Sequence, residues 1–154
     1  MIETGAGTNT PPKISSFQKF ALNAQVFLLR RGWMGPASNF LMVITTKGRK
    51  TGRKAAIPIS YQRDGNDLIG LNPGNSNWYL NVLVSKEATL EVQGQKFDVT
   101  ATLVEDESER QRIYDFYKAD ANTFQRIFRI PVTAPEEELQ NALKKWNFAR
   151  FVKK

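Results

Sequence analysis

Apolar positions change their spacing once along this chain. Between residues 16 and 31, Phe17, Phe20, Ala21, Ala24, Phe27 and Leu28 recur every three or four residues. That spacing predicts an amphipathic helix, capped by Ser15 or Ser16 and stopped near Arg30, Arg31 and Gly32. Leu22, Val26 and Leu29 widen its apolar arc. Such a helix packs on a core, lies on a membrane or covers a lipophilic pocket, and the pattern leaves all three open. From residue 39 the spacing falls to two. "NFLMVITT", "AAIPISYQRDG", "NDLIGLN", "ATLEVQ" and "KFDVTATLV" read as short strands, with Asp64-Gly65 and Gln93-Gly94 as hairpin turns. "NSNWYLNVLVS" breaks the alternation and predicts a short helix capped by Ser76 or Asn77. Asp106 and Glu109 form a capping-box pattern opening a helix to about Lys118, Thr133, Pro135 and Glu136 open another over "APEEELQNALKKW", and "FARFVKK" reads as a closing strand. Short strands at regular spacing, with no repeat and no long linker, predict one α+β domain over residues 15–154 built on a barrel-like sheet. Residues 1–14, "MIETGAGTNTPPKI", are small, polar and proline-containing, and are expected to form a flexible tail.

Composition narrows the chemistry more than the fold. The 154 residues include no Cys and no His, which excludes thiolate nucleophiles, zinc-thiolate and iron–sulfur sites, imidazole ligands and Ser-His triads. Difficult chemistry must then come from carboxylates, tyrosines, lysines or a bound organic cofactor. The 22 Lys and Arg against 15 Asp and Glu give a net charge of +7, which favours anionic partners. The carboxylate clusters "EDESE" and "PEEE" sit at predicted helix starts, where the helix dipole accounts for them, and are assigned neither a catalytic role nor a metal. No apolar run approaches the ~18 residues of a membrane span, and no signal-type core precedes the domain. The expectation is a cytoplasmic protein, with peripheral membrane contact through residues 16–31 as the remaining option.

Two stretches carry candidate chemistry. "TTKGRKTGRKAAIP" places Lys47, Arg49, Lys50, Arg53 and Lys54 around Gly48 and Gly52, between two predicted strands. Exposed backbone N–H groups, basic side chains and the hydroxyl of Thr46 or Thr51 suit a phosphate or carboxylate cradle, while a solvated hairpin tip is the plainer reading. The spacing is not that of a P-loop. "LNPGNSNWYLN" sets Asn72, Asn75, Asn77 and Asn81 beside Trp78 and Tyr79, offering amide hydrogen bonds next to flat apolar surface; the alternative is a loop whose aromatics plug the core. Nucleic acid is not expected as a partner, because the basic run lacks interleaved aromatics.

The order of these stretches resembles the deazaflavin-dependent nitroreductase family, split β-barrel oxidoreductases related to flavin mononucleotide-binding barrels. The resemblance spans roughly residues 39–131, through "TTKGRKTG", the proline and "RDG" that follow, "WYLN", "ATLV" and "IPV". It implies a split β-barrel and coenzyme F420. Arg49, Lys50 and Thr51, with Lys47, Arg53 and Lys54, would hold its phosphate and polyglutamate tail; Pro58 and Ile59 would run along it. Leu71, Asn72, Pro73 and Gly74, and Asn77, Trp78, Tyr79 and Asn81, would frame the deazaflavin ring. The protein would supply no catalytic side chain, and hydride would pass to a small-molecule acceptor such as a quinone or nitro-compound. Flavin mononucleotide is the alternative cofactor, and a non-catalytic haem, tetrapyrrole or fatty-acid carrier the alternative function. Related flavin barrels are often homodimers. The chain departs from the family at three places: Ala55 stands where an Arg is usual, the ring loop "NPGNSN" is short, and Tyr117 and Phe124 are the nearest counterparts of substrate-side tyrosines.

Overall fold

A computed structural model describes residues 15–31, 35 and 39–154. The tail over residues 1–14 and the stop at Gly32 lie outside the described residues. The described chain runs α1 (Ser16–Arg30), β1 (Leu41–Lys47), β2 (Lys54–Asp64), β3 (Asp67–Asn72), α2 (Asn77–Ser85), β4 (Glu87–Val92), β5 (Gln95–Leu103), α3 (Glu107–Lys118), α4 (Ala121–Phe128), α5 (Glu136–Lys144) and β6 (Asn147–Lys153). The strands close into an antiparallel barrel in the order β1-β2-β3-β6-β5-β4, with β4 pairing back onto β1. Both expected hairpin turns form, Gly65 at φ +63° and the Gln93-Gly94 pair at +48° and +83°. Positive φ at both central residues of the Gln93-Gly94 turn, and at Gly65 in the other, suits the right-handed twist of the flanking strands.

Two apolar clusters sit on opposite faces of the same sheet. Inside the barrel, Met42, Ile44, Ile59, Tyr61, Leu68, Leu90, Val99 and Phe151 pack against Trp78, Tyr79, Leu80 and Val82, so α2 plugs the interior. Outside, Ile69, Leu71 and Phe148 meet Ile113, Tyr114, Phe124, Phe128, Leu139 and Leu143 from α3 to α5. β3 and β6 thus bury both faces, which is why "LIGL" and "FARF" depart from strict alternation. Gly70 faces inward: a methyl there would come within 2.7 Å of the Phe151 ring and 3.3 Å of Trp78.

β2 is the longest strand, and only part of it has two neighbours. It pairs with β1 from Lys54 to Ser60, whereas its ladder with β3 begins at Tyr61 opposite Gly70. Tyr61 N–H donates to Phe40 O at 3.0 Å, so by alternation residues 57 and 59 also face β1, while the backbones of Ala56 and Pro58 face the open edge. Proline costs no ladder bond there. This opening is the split in the barrel.

The expected elements form with some differences. α1 begins at a Ser15–Gln18 capping box. The wider stripe does not meet a core, however: Phe17, Phe20 and Phe27 remain 79%, 71% and 49% exposed, and Val26, on the other side of the helix, is its one fully buried residue among those described. Ser76 is the N-cap of α2, but its hydroxyl donates to Asn72 Oδ1 and accepts no N–H from the helix. Asp106 caps α3, yet the Glu109 carboxylate goes to Arg150 instead of closing the box. α4 has no counterpart in the expected pattern; its eight residues are only two turns, too few to establish a period.

Candidate functional site

The basic stretch folds as a tight β1–β2 hairpin tip. Gly48 N–H donates to Arg53 O at 2.7 Å and Gly52 N–H to Gly48 O at 2.9 Å, with Gly52 at φ +75°. A methyl on Gly48 would lie 2.9 Å from Thr51 Oγ1 and 3.2 Å from Arg53 O, so a side chain there would crowd the tip. Lys47, Lys50, Thr51 and Arg53 project into solvent, but Arg49 turns back. Its Nη1 donates to Asn81 Oδ1 at 2.9 Å and Asn77 Oδ1 at 3.3 Å, and its backbone N–H reaches the same Asn81 oxygen at 3.2 Å. Asn81 Nδ2 in turn donates to Thr46 Oγ1 at 2.9 Å.

This places a guanidinium at the start of α2, whose first turn contains no acidic residue and whose N-cap side chain makes no capping bond. The N-terminal turn of a helix carries partial positive charge and binds anions readily. Asn77 and Asn81, the partners of Arg49, line a space that Lys54 also lines, and no Asp or Glu is among its described lining residues.

The space is a cavity of about 920 Å³ between α1, the open edge of β2 and the start of α2. Ala55, Ala56, Ile57 and Trp78 give it an apolar floor; Thr46, Ser76, Asn77 and Asn81 give it one polar end. α1 is the roof, through Lys19, Leu22, Asn23, Val26, Phe27 and Arg30, with its C-cap Arg31. None of the described lining residues is Asp or Glu. The roof is clamped to the barrel by Arg30, whose Nε donates to both Glu91 carboxylate oxygens at 2.9 and 3.0 Å. Of the readings open for this helix, the structure bears out the one in which it covers a pocket.

The residues nominated from the sequence divide accordingly. Lys54, Asn77, Trp78 and Asn81 line the cavity, and Arg49 is bonded to two of them. Pro58 lies farther along the open edge, and Ile59 is in the barrel core. Leu71 belongs to the outer cluster, and Pro73 is exposed. Asn72 is fully buried and braces its own loop: its amide donates to Gly74 O, which also accepts from Asn147 at 2.9 Å. Tyr79 packs edge-on against Trp78 inside the barrel, where burial pushes its phenol up. Tyr117 and Phe124 lie in the outer cluster, away from the cavity; burial holds the Tyr117 phenol well above its usual range, and its hydroxyl has no hydrogen-bond partner among the described residues. Thr46 was a candidate only as an alternative hydroxyl to Thr51, α1 only as a helix that could cover a pocket, and Ala55, Ala56, Ile57 and Ser76 were not singled out as lining. The one signal for α1 was the second apolar face, Leu22 and Val26 at four-residue spacing.

A closed six-stranded barrel, split along one strand and opening onto a cationic cavity with an apolar floor, defines a flavin-type split barrel. An F420-H2 dependent reductase superposes with a TM-score of 0.50 at 18% identity, over 73% of this chain and 93% of its own. A FAD-binding protein from Mesorhizobium loti superposes at 0.53 with 10% identity, over 92% of this chain and 91% of its own. At such identities the likeness establishes the fold. The family model described as F420H(2)-dependent quinone reductase matches residues 29–130. The chain belongs to that family: it is an oxidoreductase that uses coenzyme F420 and a small-molecule acceptor.

Proposed function

We propose that the cavity beneath α1 binds reduced F420 and there reduces a quinone or a comparably electron-poor organic acceptor. The observation that carries this is the cavity itself: about 920 Å³, apolar in its floor, lined by Lys19, Arg30, Arg31 and Lys54, and with no carboxylate among its described lining residues. When bound, the coenzyme supplies the hydride. Arg49, Lys54 and the first turn of α2 hold the phosphate, while Lys50 and Arg53, in solvent, meet the acidic tail. The backbone of Ala56 and Pro58 on the open edge of β2 offers hydrogen bonds to the heterocycle, and Trp78 and Ile57 offer it flat apolar surface. Leu22 and Val26 face the acceptor and keep water out. Among the described lining residues none carries a carboxyl, imidazole or thiol, and the amines of Lys19 and Lys54 are the acidic groups beside the acceptor.

The test is a fluorescence-monitored titration of the protein with F420, run beside flavin mononucleotide at low and high salt, followed by turnover with quinones. Saturable binding of F420 that weakens with salt, together with quinone reduction, is the expected result. Tight flavin mononucleotide binding with no response to F420 would sink the proposal.

We further infer that the outer face of α1 contacts a lipid surface. Phe17 and Phe20 are 79% and 71% exposed on the side of α1 turned away from the cavity, the apolar face an interfacial helix buries among headgroups.

A further inference from the structure

The carboxamide of Asn81 has one orientation that fits its surroundings. Its oxygen accepts both the Arg49 backbone N–H and Arg49 Nη1, and its nitrogen donates to Thr46 Oγ1. Flipping the amide would set a donor against two donors, so the assignment follows from the bonds. Asn81 and Thr46 are 5% and 3% exposed, making this a buried, satisfied link between α2, the end of β1 and the hairpin tip. Asn77, one turn earlier on the same face, supports the same Nη1. Both the main chain and the side chain of Arg49 are therefore held by one buried amide. The cation is held at a helix N-terminus, where the dipole disfavours it. Folding alone gains little from that placement; an anion bound between the two gains from both.

We propose that Asn81 is the positioning residue of the anion cradle: it fixes Arg49 against α2 so that the guanidinium meets the cofactor's phosphate already in place, and it acts through Arg49 and not through the ring. The inference rests on the F420 reading above and differs from the ring-framing role that the resemblance implied. A preset guanidinium loses less side-chain entropy on binding than one that must be ordered by the ligand.

The experiment compares F420 with its phosphate-free deazaflavin core by fluorescence titration, in the wild type, Asn81→Ala, Arg49→Ala and the double variant. Asn81→Ala is expected to weaken F420 about tenfold, the scale of one lost bond to a charged group, and to leave the core ligand unchanged. The double variant should bind F420 no more weakly than Arg49→Ala alone, because the two residues act as a unit. Equal loss for both ligands, or additive losses in the double variant, would overturn the proposal. Asn81→Asp guards against a folding defect: it keeps the acceptor for Arg49 but cancels its charge, so F420 should weaken while the core ligand does not. Weakening of both ligands by Asn81→Asp counts against the proposal. If the wild type binds no F420, the functional reading fails and this inference with it; if the wild type binds and Asn81→Ala matches it, this inference alone fails.

Discussion

Arg49 and Lys50 are adjacent in a run of basic residues, and folding gives them different tasks. Arg49 is tied to Asn77 and Asn81 at the cavity's polar end, whereas Lys50 is exposed at the hairpin tip. Arg49→Ala is expected to weaken F420 binding by about 1.5–3 kcal/mol and Lys50→Ala by less than about 1 kcal/mol, because an exposed charge is screened by water and salt. Titrations of the two single variants check this; equal losses would mean that net charge, not position, does the binding. At Gly70 the constraint is packing. Gly70→Ala drives a methyl against Phe151 and Trp78 and should destabilise the fold by about 1–3 kcal/mol, measurable by denaturant unfolding. The sequence marked Arg49 because its residue type and glycine context suit an anion. It could not mark Gly70, whose requirement comes from rings 8 and 81 positions away.

At the scale of elements, α1 shows how one helix carries two apolar faces with different fates. Its spacing announced the Phe17, Phe20 and Phe27 stripe, yet Phe17 and Phe20 stay exposed while Leu22 and Val26 face the cavity, with half-exposed Phe27 at its margin. Periodicity identifies a helix and its faces but not which face finds a partner, since that depends on the surface opposite. Val26→Trp would fill part of the cavity beneath the roof. It should raise KM for bulky quinones several-fold while leaving the F420 dissociation constant within about twofold, the division expected of an acceptor wall. A matched loss of F420 affinity would move the wall to the cofactor's side. For the outer face, Phe17→Ser with Phe20→Ser should abolish co-sedimentation with anionic vesicles while the melting temperature holds, because neither ring is buried. Retained sedimentation would place any lipid contact elsewhere.

Across the whole molecule, the barrel is closed and stiffened at the end remote from the cavity. Arg150 on β6 bonds Asp64, Asp67 and Glu109, and Arg112 on α3 adds a second pair to Asp64, tying the β2–β3 turn to the outer helices. Hydrogen bonds from Arg112 and Arg150 hold the Asp64 carboxyl below its ordinary range. A depressed carboxyl contributes stability above its unfolded pKa, and that contribution disappears as pH falls through the folded value. Asp64→Asn should therefore lower the melting temperature at neutral pH and flatten its decline below about pH 4. An unchanged acid limb in the variant would assign acid sensitivity to other carboxylates.

The sequence by itself determined the strands, both hairpin turns, the basic tip and the absence of imidazole and thiol chemistry, and its order of motifs pointed to a deazaflavin split barrel. These are properties of residue type and of neighbours two to four positions apart, where turn geometry and helical or strand period operate. Tertiary structure decided where β2 loses its second neighbour, which side of α1 roofs the cavity, and that Asn72 braces a loop while Asn81 holds Arg49. Those outcomes rest on partners 32 residues apart for Arg49 and Asn81, and 61 apart for Arg30 and Glu91. No local pattern encodes contacts at that separation; they exist only once the barrel has closed.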